Sequence, residues 1–102
     1  MSNDYPAPPM DQVELVDVLR ALADPTRLQI VRILADGTPH PKGTEEWGIA
    51  LQKSAMAYHF KLLRESGVTL TLVHGRTHEI QLRRAELDAR FPGLIDALIA
   101  SS

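Results

Sequence analysis

Residues 53–67 have the sequence KSAMAYHFKLLRESG, which carries most of the information about the fold. At about 100° per residue, Met56, Phe60 and Leu63 fall on one narrow apolar stripe of a helix. The opposite side of that helix is small, polar or basic, and it carries Ser54, Ala57, Tyr58, Lys61 and Arg64. We therefore predict a helix over about 54–66 with one buried side and a slim, positively charged outer side.

A first helix is predicted over about 12–23, with its apolar residues at helical spacing at Leu15, Val18, Leu19 and Leu22. Asp11 followed by Glu14 resembles a capping box at its start. Residues 1–10 contain three prolines and no periodicity, so we predict a mobile N-terminal arm there. The folded domain then spans 11–102.

A second helix begins at the Asp24-Pro25 pair, because Asp accepts hydrogen bonds from free N–H groups and Pro suits the first helical position. Gly37 is suited to end it. Residues 38–43 contain two prolines and one glycine, which predict a loop without ladder pairing. A short third helix is then predicted over about 45–51.

Two runs of alternating polar and apolar residues follow the fourth helix. They flank the turn His74-Gly75-Arg76-Thr77 and predict a β-hairpin over 68–82. A last helix begins near Arg84, is interrupted at Phe91-Pro92-Gly93 and resumes beyond it. This order, four helices, a hairpin and a last helix, is a mainly α fold with a β-hairpin wing, a winged helix-turn-helix.

The slim fourth helix suits the major groove of DNA, which admits a helix whose groove-facing side chains are not bulky. The predicted groove-facing residues are Lys53, Ser54, Ala57, Tyr58 and Lys61, and the predicted phosphate contacts are Arg64, Arg76 and Arg83. The net charge of the chain is −2, but residues 53–84 carry six basic and two acidic side chains. The positive charge therefore lies in the segment that would meet double-stranded DNA.

Two motifs in the chain resemble the ArsR/SmtB-type winged-helix repressors. ALADPTRL at 21–28 followed by IVRIL at 30–34 resembles that family's entry into the second helix. KS at 53–54 with HFKLLRESGV at 59–68 resembles its recognition helix and exit into the wing. The resemblance spans about 12–100 and identifies the chain as similar to a cysteine-less member.

The resemblance implies a homodimer built from the first and last helices that binds an inverted-repeat operator and represses transcription. The dimer interface would comprise Leu15, Leu19, Leu94, Ile95, Leu98 and Ile99. If the chain were a monomer, the residues of the last helix would form an exposed apolar patch that favours association. The resemblance also implies that an inducer or metal commonly releases the DNA, so an unidentified small-molecule effector is an expected partner.

Histidines and one tryptophan carry the competing hypotheses. His74 and His78 could face each other across the hairpin turn beside Glu79, but two ligands on an exposed hairpin make a poor closed metal site. We predict no metal site, and a His/carboxylate metal-responsive repressor stays open as an alternative. His59 is predicted to be packed and hydrogen-bonded, and Trp47 to be a core anchor, with a pocket-lining role as its alternative.

The sequence also argues against several classes of protein. It has no cysteine nucleophile, no phosphate-binding glycine loop and no placed set of Ser, His and acid, so we predict neither enzyme activity nor a cofactor. No apolar run approaches the about 18 residues of a membrane span, and no signal pattern occurs, which predicts a cytoplasmic protein with no membrane partner. A winged-helix protein-interaction module without DNA binding remains the alternative function, because the net charge is acidic.

Overall fold

The computed structural model describes residues 5–43, 47–48 and 51–101. The helices within these residues are α1 Leu15–Leu22, α2 Pro25–Leu34, α3 Lys53–Glu65, α4 Arg84–Arg90 and α5 Leu94–Ala100. The strands are β1 His40–Pro41, β2 Thr69–His74 and β3 Thr77–Leu82. This order confirms the mainly α fold with a β-hairpin wing. The short helix predicted over about 45–51 lies largely outside the described residues.

Helix α1 begins later than predicted, because Val13 is drawn into the core. Met10–Gln12 form a short 3-10 turn, Val13 has extended backbone, and its side chain is only 2% exposed. Glu14 occupies the N-cap position and accepts no hydrogen bond with its side chain. The predicted capping box of Asp11 and Glu14 is therefore wrong, since burial of Val13 interrupts the helical path between them.

Helix α2 begins where the sequence predicts. The Asp24 carboxylate accepts hydrogen bonds from the backbone N–H groups of Thr26 (2.9 Å) and Arg27 (3.1 Å), and Pro25 is the first helical residue. These bonds satisfy two N–H groups that have no partner within the helix. The donation from the Arg27 N–H is the main reason that the pKa of Asp24 is held below its ordinary value of 3.8.

We expect Asp24→Ala to lower the free energy of unfolding by about 1 kcal/mol at neutral pH. Because the folded-state pKa of Asp24 is depressed, its contribution is complete above the unfolded-state value and is lost as the pH falls through the folded value. The difference in stability between the two proteins should therefore shrink as the pH falls through the folded-state pKa of Asp24, and it should vanish once the carboxyl is protonated in both states. Urea titrations across this range test it, with Asp17→Ala, an exposed carboxylate on α1, as the control. A loss that persists unchanged in acid would contradict this account.

The sheet has one more strand than the sequence predicts. Strands β2 and β3 form the expected antiparallel hairpin, from Thr69 opposite Leu82 to His74 opposite Thr77. Strand β1 then pairs antiparallel with the other edge of β3, giving the order β1-β3-β2. The prediction that residues 38–43 lack ladder pairing is therefore wrong. Proline is tolerated there because β1 is a two-residue edge strand, where a missing N–H need not break the ladder.

The hydrophobic core joins the helices to the sheet. Its fully buried side chains come from all five helices and the hairpin, and include Val18, Ile30, Leu63, Ile80, Leu87 and Ile95. The predicted interruption of the last helix is confirmed, since α4 and α5 are separated by 91–93. None of the helices in the described part of the chain is long and apolar enough to cross a membrane.

Candidate nucleic-acid interface

Helix α3 has the two unlike sides that its sequence predicts. Phe60 and Leu63 are 2% and 0% exposed, so the inner side is anchored in the core. The outer side is open to solvent, with exposed residues Lys53, Ser54, Ala57, Tyr58 and Lys61. The helix begins at Lys53, one residue before the predicted start, so Ser54 lies inside the first turn.

Arg27 fixes α3 against the first two helices, a role that the sequence did not reveal. Its Nε donates to the carbonyl oxygen of Ala21 at the end of α1 (2.6 Å), and its Nη1 lies 3.1 Å from Nδ1 of His59 on α3. Since arginine has no acceptor, His59 Nδ1 accepts this bond. His59 is thus the packed, hydrogen-bonded residue that the sequence predicts.

The wing brings one predicted phosphate contact close to α3. Arg76 lies exposed in the turn between β2 and β3, and it lines the same cleft as Lys53 at the start of α3. Two exposed cations from different elements therefore flank one surface. This juxtaposition suits a polyanionic partner.

Two other predicted phosphate contacts are placed differently. Arg83 is 7% exposed; its guanidinium forms a two-pronged bond to Glu86, with both distances 3.1 Å, and its Nη1 donates to the Pro8 carbonyl oxygen. The structure argues against the phosphate contact predicted for Arg83, because the side chain is buried and three of its N–H groups already donate within the fold. Arg64 is half-buried, with its Cζ 5.3 Å from the centre of the Tyr5 ring.

The cleft between α3 and the wing has an apolar floor and a basic rim. Its volume is about 1080 Å³. The floor includes Phe60 and Trp47, whose rings lie 5.5 Å apart, and Trp47 is 3% exposed, which agrees with a core anchor. Burial lowers the pKa of the Lys42 ammonium on the rim, and the nearby Arg64 cation lowers it further. Among the described residues that line this cleft there is no carboxylate.

Comparison with known proteins identifies the family of the chain. The chain is 34% identical over 89 residues to the uncharacterized HTH-type transcriptional regulator YceK of Bacillus subtilis, covering 86% of this chain and 88% of YceK. It is 31% identical over 91 residues to the HTH-type transcriptional regulator CmtR of Mycobacterium bovis and of Mycobacterium tuberculosis, covering 89% of this chain and 76% of each relative. The chain belongs to the HTH-type transcriptional regulators. No family model matches it.

The regulator is therefore a DNA-binding protein that controls transcription, as its sequence predicts. Its winged fold exposes one helix whose outer side is free of bulky apolar residues other than Tyr58. Which side chains contact DNA stays a prediction for Lys53, Ser54, Ala57, Tyr58, Lys61, Arg64 and Arg76.

The histidines of the regulator have separate partners. His74 Nε2 lies 3.0 Å from a Glu79 carboxylate oxygen, whereas His78 Nδ1 lies 3.2 Å from the Tyr5 hydroxyl oxygen. His40 pairs with Asp36 at 3.0 Å. Over residues 5–43, 47–48 and 51–101, no group of three or more histidines and acids could hold a metal ion.

The residues assigned to a dimer interface differ in exposure. On α1, Leu15 and Leu19 are 44% and 46% exposed, and the neighbouring Val16 is 52% exposed. On α5, Leu94, Leu98 and Ile99 are partly buried against the core. Ile95 is fully buried within the single chain, so its assignment to an interface is wrong: its side chain is part of the core.

Proposed function

We propose that the regulator is a homodimeric, ArsR/SmtB-type repressor that binds an inverted-repeat operator. Helix α3 of each protomer lies in the major groove, and the wing lies along the flanking backbone. The observation that carries this proposal is the exposed outer side of α3, which is narrow and basic, with Arg76 of the wing lining the same cleft as Lys53 in its first turn. A major groove of about 12 Å admits such a helix.

The side chains on α3 suit different parts of the groove. Ser54 and Ala57 are small and let the helix backbone approach the base pairs. Tyr58, 58% exposed, reaches a base edge or a thymine methyl group. Lys53 and Lys61 neutralise phosphates, and Arg76 does the same from the wing.

Dimerisation is supported by the apolar residues that α1 leaves uncovered. Three large hydrophobic side chains, Leu15, Val16 and Leu19, are each more than two-fifths exposed on a helix of eight residues. Such a cluster on a small domain is typical of an interface. A two-fold dimer also matches the symmetry of an inverted repeat.

We expect the double variant Leu15→Glu/Leu19→Glu to weaken dimerisation by at least about tenfold, since two carboxylates would have to be desolvated in the interface. Sedimentation velocity across a dilution series measures the change. Val73→Glu, which alters an equally exposed apolar residue on the wing strand, should sediment like the unaltered protein. A double variant that remains as dimeric as this control would remove α1 from the interface.

The function itself is tested by a gel-shift titration with duplexes from the regulator's own upstream region. We expect a shift that depends on sequence and weakens steeply between about 50 and 200 mM salt. A shuffled duplex of equal length and composition serves as the control. Absence of any shift at the lower salt would favour the protein-interaction module instead. A cytoplasmic location and an unidentified small-molecule effector remain part of the proposal.

A further inference from the structure

Tyr5 lies between α3 and the wing and contacts both. Its hydroxyl oxygen is 3.2 Å from Nδ1 of His78 on β3, and the two rings meet edge to face with centres 5.2 Å apart. The Arg64 guanidinium carbon of α3 also lies 5.3 Å from the centre of the Tyr5 ring. The Nζ atom of Lys42, just after β1, lies 4.9 Å from the same centre. One aromatic side chain therefore joins three parts of the molecule.

Tyr5 lies close to two side chains of like charge. Lys42 and Arg64 are like charges close enough for Arg64 to lower the pKa of Lys42. A ring approached by two cations attracts both, because its π faces carry partial negative charge. Tyr5 thereby offsets a repulsion that would otherwise push α3 and the β1 side of the sheet apart.

The segment that carries Tyr5 is itself attached to the fold. The buried Arg83 donates from Nη1 to the Pro8 carbonyl oxygen at 2.7 Å, and Arg90 of α4 donates to the carbonyl oxygen of Met10. The prolines between Tyr5 and Met10 restrict the unfolded chain and so reduce the conformational entropy that is lost when this segment is ordered. Residues 5–10, predicted as part of a mobile arm, thus make specific contacts along their length. Mobility of the arm itself stays a prediction.

The contact with His78 lies close to the DNA-facing end of the wing. His78 is on β3, two residues after Arg76, which lies in the turn. Arg64 lies on α3, whose outer side faces the groove in the proposed complex. A change in spacing between His78 and Arg64 would therefore alter where Arg76 stands when α3 is seated in the groove.

We propose that Tyr5 is a positioning residue for DNA binding, which fixes the distance of the wing from α3 so that Arg76 reaches the backbone. This inference rests on the proposed mode of DNA binding and adds a determinant outside the helix-turn-helix itself. Tyr5 touches no DNA in this arrangement and acts through Arg76.

The test compares Tyr5→Ala with Tyr5→Phe in operator titrations on the full-length protein. We expect Tyr5→Ala to weaken operator binding about tenfold, because both cation–π contacts and the His78 contact are lost. Tyr5→Phe keeps the ring and should stay within about threefold of the unaltered protein. If Tyr5→Ala loses its cooperative thermal transition, Tyr5→Leu, which retains apolar bulk, replaces it with the same expected loss.

A double-mutant cycle separates positioning from general loosening of the fold. In an Arg76→Ala background, Tyr5→Ala should cost less than about twofold in affinity, because the contact that Tyr5 positions is already gone. A full tenfold loss in that background would overturn the inference, as would an unchanged affinity for Tyr5→Ala alone. Failure of the unaltered protein to bind DNA would instead overturn the proposed function, so the two failures are distinguishable.

Discussion

Gly67→Ala is expected to lower the free energy of unfolding by about 3 kcal/mol, a large part of the stability of a small domain. Gly67 has a φ of +90°, in the left-handed region that favours glycine. A Cβ added there would lie 2.3 Å from Cγ2 of Val13, which is itself buried in the core. The substitution therefore combines backbone strain with a clash that Val13 has no room to relieve.

Gly75→Ala is the matched control for this prediction. Gly75 also has a positive φ, +62°, but a Cβ there would meet nothing within 4 Å. Gly75→Ala should lower the free energy of unfolding only by the backbone strain, about 1 kcal/mol. Chemical denaturation of both variants gives the comparison. Equal losses at the two positions would show that the clash with Val13 adds nothing to the cost of Gly67→Ala.

Local signals in the sequence predict most of the helical architecture. The start of α2 depends only on neighbouring residues. The Asp24 carboxylate accepts hydrogen bonds from the N–H groups two and three residues later, so no distant partner is needed. The stripe of Phe60 and Leu63 likewise depends only on helical period. Strand β1 and the burial of Val13 could not be predicted in this way, because both depend on partners more than 35 residues away in the chain.

The candidate site was predictable to the extent that it lies on one helix. The helical periodicity of its apolar residues is enough to predict which side of α3 faces outward. By contrast, the presence of a basic residue in the sequence does not predict whether its side chain points to solvent or into the fold. Arg83 shows the difference: Glu86 three residues later was the available signal that its guanidinium is engaged within the fold. Tyr5 had no such signal, because its partners Lys42, Arg64 and His78 meet only in the folded chain.

The double variant Lys53→Ala/Lys61→Ala is expected to weaken operator binding about 100-fold at moderate salt. Each lysine that neutralises a phosphate displaces about 0.9 counterions from B-DNA, so the slope of log affinity against log salt should fall by almost two. Each single variant should lose about half of this change in slope. Both side chains are exposed on α3, so folding stability should not change by more than about 0.5 kcal/mol.

Arg20→Ala is the control that separates contact from net charge. Arg20 is on α1, its side chain is 76% exposed, and its removal changes the charge of the protein as much as either lysine variant. If the lysines act by contact, Arg20→Ala should leave the salt slope of operator binding unaltered. An equal fall in slope would mean that the lysines act only through the net charge of the protein.

The shuffled duplex separates contacts to phosphate from contacts to bases. Contacts to phosphate weaken specific and nonspecific binding alike, whereas a lysine on a guanine edge lowers only the specific affinity. Because Lys53 lines the same cleft as Arg76 of the wing, we expect it to show the phosphate pattern.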